Sequence, residues 1–125
     1  MTQTQTARQQ LAAALRAELP DGWSVLDLDK VPDVITRPTV VIYRQSYAPL
    51  PAAPVGHYEQ TFAVWVLVAP DAKDSLLDDH ADTVTGALED IDWTVWTTAS
   101  RDALAGTWPG FNITVTAQTK KEYDA

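Results

Sequence analysis

Few residues in this sequence have the chemistry of a catalytic site. The chain contains two histidines, His57 and His80, and no cysteine, which excludes a thiol nucleophile, a zinc–thiolate site and a disulfide. A nucleophile needs a base that a third group holds in place, and neither histidine lies in a local motif of that kind. The sequence also lacks a glycine-rich phosphate loop, a zinc-binding helix motif and a nucleophile elbow. We therefore predict no catalytic residues and a protein that is not an enzyme.

The nearest approach to a set of metal ligands is the run Asp78, Asp79, His80 together with Asp82. Residues four apart share one face of a helix, so Asp78 and Asp82 would lie together while the other two point elsewhere. The surrounding stretch, residues 71–92, holds eight carboxylates and a single lysine. We interpret it as a solvated acidic helix face, and we predict neither a bound metal nor a cofactor.

Length and charge limit the classes of protein to which the chain can belong. Its 125 residues suit one domain, residues 1–125, with a core of its own. The formal charge of −8 disfavours tight binding to nucleic-acid phosphates, which need clustered cations. No stretch approaches the roughly 20 apolar residues that span a bilayer, and no signal-like run opens the chain. We expect synthesis in the cytoplasm and no membrane partner.

Hydrophobic periodicity predicts two helices and five strands. The helices are expected at residues 6–19 and 74–91, where apolar residues recur every third or fourth position. The strands are expected at residues 23–29, 39–47, 57–69, 93–100 and 111–118, with a turn containing Gly106, Pro109 and Gly110 before the last. Strands that follow one another without intervening helices favour antiparallel pairing. The prediction is an α+β fold with a single, largely antiparallel sheet and two helices packed on one face.

The central strand, residues 57–69, is apolar on both faces. One face carries the row that is expected to meet the helices, and the other carries Ala63, Trp65 and Leu67. In the strand at 93–100 the pattern places Trp93 and Val95 on the core side, with Trp96 on the opposite face. Tryptophan is common at protein interfaces, so Trp65, Leu67 and Trp96 are candidate interface residues. The alternative is that a loop or the N-terminal segment covers them within the monomer.

A proline-rich connection joins the second and third predicted strands. Residues 48–56 contain three prolines within six positions, which favour extended backbone. The segment is either a projecting arm that contacts a partner or a stiff surface loop. As an arm it adds four candidate interface residues, Pro49, Leu50, Pro51 and Pro54.

This order of elements resembles that of the tail terminator, or tail-to-head joining, proteins of long-tailed bacteriophages. The resemblance covers an opening helix, the strand at 38–47, the proline-rich loop, the central strand, the acidic helix and the two closing strands. It implies a structural protein of the virion that forms a homo-oligomeric ring, expected to be a hexamer, on the last ring of the tail tube. The ring would end polymerisation of the major tail tube protein and join the head connector, while DNA passes through its lumen without specific binding.

Two other functions remain open from the sequence. One is a different ring component of the same particle, such as a neck, head-completion or tube protein. The other is a small cytoplasmic ligand-binding domain, or an enzyme without a recognisable motif, which belongs to a different class.

Overall fold

A computed structural model describes residues 7–26, 37–49, 57–69, 73–104 and 108–120 of the chain. Within them lie two helices, α1 (Ala7–Glu18) and α2 (Asp74–Glu89). The strands are β1 (Ser24–Leu26), β2 (Thr39–Pro49), β3 (His57–Leu67), β4 (Thr94–Leu104) and β5 (Trp108–Lys120). The predicted elements are therefore present, with β4 and β5 longer than their patterns indicated.

The five strands form one sheet in the order β1-β2-β3-β5-β4. Three of the four pairings are antiparallel, and the short β1 pairs with β2 in parallel. The predicted α+β fold with a largely antiparallel sheet is confirmed. The central position of β3, between β2 and β5, explains why its sequence is apolar on both faces.

Both helices pack on the same face of the sheet, here called the helix face. Helix α1 lies over β1 and β2, and α2 contacts β3, β5 and β4. The apolar stripe of α1 contributes Leu11 and Leu15, which have no exposed surface. The stripe of α2 contributes Val84 and Leu88, and both pack into the same core as Phe62 of β3. The helical periodicity thus identified the residues that join the helices to the sheet.

The predicted turn at Pro109 and Gly110 is wrong, because both residues belong to β5. Gly110 pairs with Leu67 of β3 on one side and with Asp102 of β4 on the other. A Cβ atom at position 110 would lie 2.5 Å from the carbonyl oxygen of Val66. The glycine therefore permits a close approach between strands and is not a turn residue here.

Candidate interaction surfaces

The sheet face opposite the helices, here called the second face, has an apolar half formed by β2 and β3. Val41, Ala63, Trp65 and Leu67 form a separate hydrophobic cluster there. Leu67 has no exposed surface, and Trp65 is 9% exposed. The alternation in β3 placed Trp65 and Leu67 on this face correctly. Because both side chains are buried within the single chain, they are not available to a second chain as the interface hypothesis required.

The other half of the second face is polar and is formed by β5 and β4. Strand register places Asn112, Thr114 and Thr116 of β5 beside Trp65, Ala63 and Thr61 of β3. Val95 of β4 is paired with Thr116 and is 62% exposed. The described surface of the second face is therefore rich in hydroxyl groups, with one exposed valine near the sheet edge.

Trp96 does not lie on the second face, and the prediction that placed it there is wrong. Its register partner is Val115, which belongs to the core beneath the helices, and Trp96 packs against that core. The indole nitrogen donates a hydrogen bond of 3.2 Å to the carboxylate of Glu89 at the end of α2. Trp96 thus joins β4 to α2 within the monomer, and Val95 takes the outward position.

Two local features set this orientation of β4. The hydroxyl of the buried Thr94 donates to the carbonyl oxygens of Leu88 and Ile91, at 3.3 and 3.1 Å. These bonds join Thr94 to the last turn of α2 and to the residues just after it, and they turn Thr94 towards the helix. A bulge at Thr97 then keeps Trp96 and Ala99 on the helix face, although they are three residues apart. Strict alternation does not reveal either feature.

Helix α2 is also fixed to the outer edge of the sheet by an arginine. Arg101 of β4 forms a salt bridge with Asp78, and its guanidinium lies 5.0 Å from the centre of the Phe111 ring.

The contacts Arg101–Asp78 and Trp96–Glu89 show which side of α2 overhangs β4. Asp82 and Thr85 lie between Asp78 and Glu89 at helical spacing, so they share that side. We call Asp78, Asp82 and Glu89 the acidic edge stripe.

The opposite side of α2 faces the segment between α1 and β1. There the His80 and Trp23 rings meet edge to face, with centroids 4.9 Å apart. Partial burial lowers the pKa of His80 from its usual value because it disfavours the charged ring, and the nearby carboxylate of Asp79 opposes that shift. His80 is therefore a packing residue that joins α2 to the segment before β1.

The sheet has two open edges within the described part of the chain. Strand β4 pairs with β5 and has no strand on its outer side. On the far side, β1 pairs with β2 only along Thr39–Val41, which leaves residues 42–49 of β2 without an outer partner among the described strands. Each open edge is interrupted by a bulge, near Gln45 in β2 and near Thr97 in β4. Open edges present unpaired backbone groups that another strand can use.

The proline-rich segment is described only at its first residues. Pro49 is the last residue of β2 and pairs with Tyr58, whereas Leu50, Pro51 and Pro54 lie outside the described residues. Across the described ranges, no group of three acidic or histidine side chains is placed to hold a metal ion. None of the helices seen in those ranges has the length and apolar character needed to cross a bilayer.

Comparison with known proteins adds no family to these observations. No protein-family model matches the chain, and no curated protein matches its sequence.

Proposed function

We propose that this chain is a structural subunit of a long-tailed bacteriophage, acting as a tail terminator. Identical subunits associate head to tail into a ring that caps the tail tube and joins the head connector. The ring number, six, comes from the resemblance in the order of elements. Trp65 and Trp96 are not contact residues of this ring, since both are engaged within the monomer.

The observation that carries the proposal is that the described strands form one sheet with two unlike open edges. A closed ring of more than two subunits needs two different patches on each subunit, because a single self-complementary patch stops at a dimer. The outer edge of β4 and residues 42–49 of β2 are such a pair of patches.

Strand directions agree with this arrangement. The three antiparallel pairings make β4 run opposite to β2. When copies repeat around an axis along the strands, β4 of one copy therefore meets β2 of the next copy in antiparallel orientation. Antiparallel strand addition at an exposed edge is a common mode of protein association.

The acidic composition also suits the position of a ring around DNA. With a formal charge of −8, the subunit has little of the cationic surface that would hold a passing duplex.

Deletion of the gene from the phage genome that encodes it tests the function. We expect tails of uncontrolled length and heads without tails, because tube growth is no longer stopped and the joining surface is absent. Supplying the wild-type chain from a plasmid should restore both features, and electron microscopy of the particles gives the measurement. Tails of normal length that fail to join heads would instead identify a neck component. Unchanged particles would exclude both structural functions.

A further inference from the structure

The charges on the described residues differ between the two ends of the sheet, the end at β1 and the end at β4. The side formed by α1, β1 and β2 carries four arginines and two carboxylates: Arg8, Arg16, Arg37, Arg44, Glu18 and Asp21. Residues 73–104, which include α2 and β4, carry eight carboxylates against Lys73 and Arg101. The carboxylates are Asp74, Asp78, Asp79, Asp82, Glu89, Asp90, Asp92 and Asp102. Among the described residues, the two ends of the sheet therefore have opposite net charge.

The charged groups nearest to the open edges lie in the same layer of the molecule. The acidic edge stripe of α2 overhangs β4 on the helix face, as the contacts of Asp78 and Glu89 show. Arg44 of β2 is opposite the core residue Phe62 in the strand register, so its side chain leaves the sheet on the helix face as well. Arg44 is exposed.

From this division we infer that the contact between neighbouring copies is electrostatic. The acidic edge stripe of one copy receives Arg44 of the next copy, while β4 pairs with residues 42–49 of β2. This inference rests on the proposed ring. It identifies the charged groups that make the β4 edge of one copy pair with the β2 edge of the next. Opposite charges steer the correct edges together, and like charges disfavour the β4–β4 and β2–β2 pairings.

Charge reversal with rescue tests the inference. Asp82 is the member of the stripe to change, since Asp78 and Glu89 also hold β4 within the monomer. We expect D82K and R44E each to weaken association roughly tenfold or more, because a like-charge contact replaces an attractive one. The chain carrying both changes should associate like the wild type, since its two edges are again complementary. Sedimentation velocity at low and high salt measures the effect, and thermal melts should show that all variants fold.

A mixture of the two single variants is a further control. The introduced lysine of D82K meets the introduced glutamate of R44E, and Asp82 of the R44E chain still meets Arg44 of the D82K chain. The two chains should therefore alternate and form closed rings when mixed in equal amounts, although neither does so alone. Salt should weaken wild-type association, because screening shortens the range of exposed charges to about 10 Å or less above 0.1 M. Association that neither charge reversal nor salt changes would overturn the inference.

The same variants in the deletion phage separate this inference from the proposed function. Restoration of tail length by the wild type and the double variant, but not by either single variant, supports both. Restoration by every variant overturns the electrostatic contact and leaves the tail terminator function intact. Failure of the wild-type chain itself to restore tail length overturns the function.

Discussion

Replacing Leu88 by aspartate is expected to cost several kcal/mol of folding free energy, which is most of the stability of a small domain. Leu88 is 1% exposed and packs in the core between α2 and the sheet. Its carbonyl oxygen also accepts the hydroxyl of Thr94. An aspartate here would be buried without a cationic partner among the core residues, so α2 would separate from the sheet. Urea unfolding followed by circular dichroism measures the loss.

The same substitution at Leu76 provides the control. Leu76 lies in the first turn of α2 and is 43% exposed. An aspartate there should change stability by no more than about 0.5 kcal/mol, as is usual for exposed positions, and its charge suits the start of a helix. Equal losses for L88D and L76D would contradict the docking of α2 through its apolar stripe.

Replacing Trp65 by alanine is expected to destabilise the isolated chain by about 3–5 kcal/mol, the usual loss for a large aromatic residue in a core. The indole belongs to the cluster with Val41 and Leu67 on the second face. Removing it leaves a cavity within the monomer. Phe62→Ala, on the helix face of the same strand, should cause a similar loss.

Trp96→Ala is the comparison that separates the two tryptophans. Trp96 is half-buried and contributes edge packing with one hydrogen bond to Glu89. Its loss should therefore be smaller, at about 1–2 kcal/mol. Trp65→Ala with wild-type stability would mean that the second face is a contact surface after all, and the interface hypothesis for Trp65 would return.

Hydrophobic periodicity predicted which residues of the helices and of β5 face the core. The stripes of α1 and α2 and the inward row of β5, from Phe111 to Ala117, all meet in the core. The alternation of β3 also assigned Trp65 to the correct face. The alternation does not show whether that face is covered, because burial depends on parts of the chain that are distant in sequence.

The errors arise where a local contact overrides a period. Thr94 turns towards the end of α2, so Trp96, two residues further on, lies on the helix face. The bulge at Thr97 then shifts the alternation by one residue, and Ala99 lies on that face as well. Glycine is typical of turns, but Gly110 lies within β5, where the lack of a side chain permits a close approach to Val66 of β3. The Arg101–Asp78 salt bridge joins residues 23 positions apart, and neither position has a sequence pattern that indicates its partner.

The acidic edge stripe illustrates the same limit. The sequence predicts an acidic helix face in this stretch. It does not show which carboxylates overhang a sheet edge, because that follows only from the contacts of Asp78 with Arg101 and of Glu89 with Trp96. Acidic residues become candidate interface groups once the structure shows that they lie beside an open sheet edge.

Head-to-tail association through unlike edges is the central claim, and crosslinking tests it most directly. The chain has no cysteine, so one can be placed on each open edge without background. Ser46 of β2 and Ser100 of β4 are both exposed and both lie on the second face, opposite Thr61 and Asn112 in the register. S46C and S100C are treated with a short bis-maleimide separately, as a mixture, and combined in one chain.

We predict that neither single variant crosslinks to itself, and that their mixture gives a covalent dimer. The double variant should give a ladder of products that ends at one closed ring size. Self-crosslinking of a single variant as efficient as that of the mixture would contradict the claim, because it would mean that like edges meet. A double variant that remains monomeric, with or without tail tubes present, would contradict it equally.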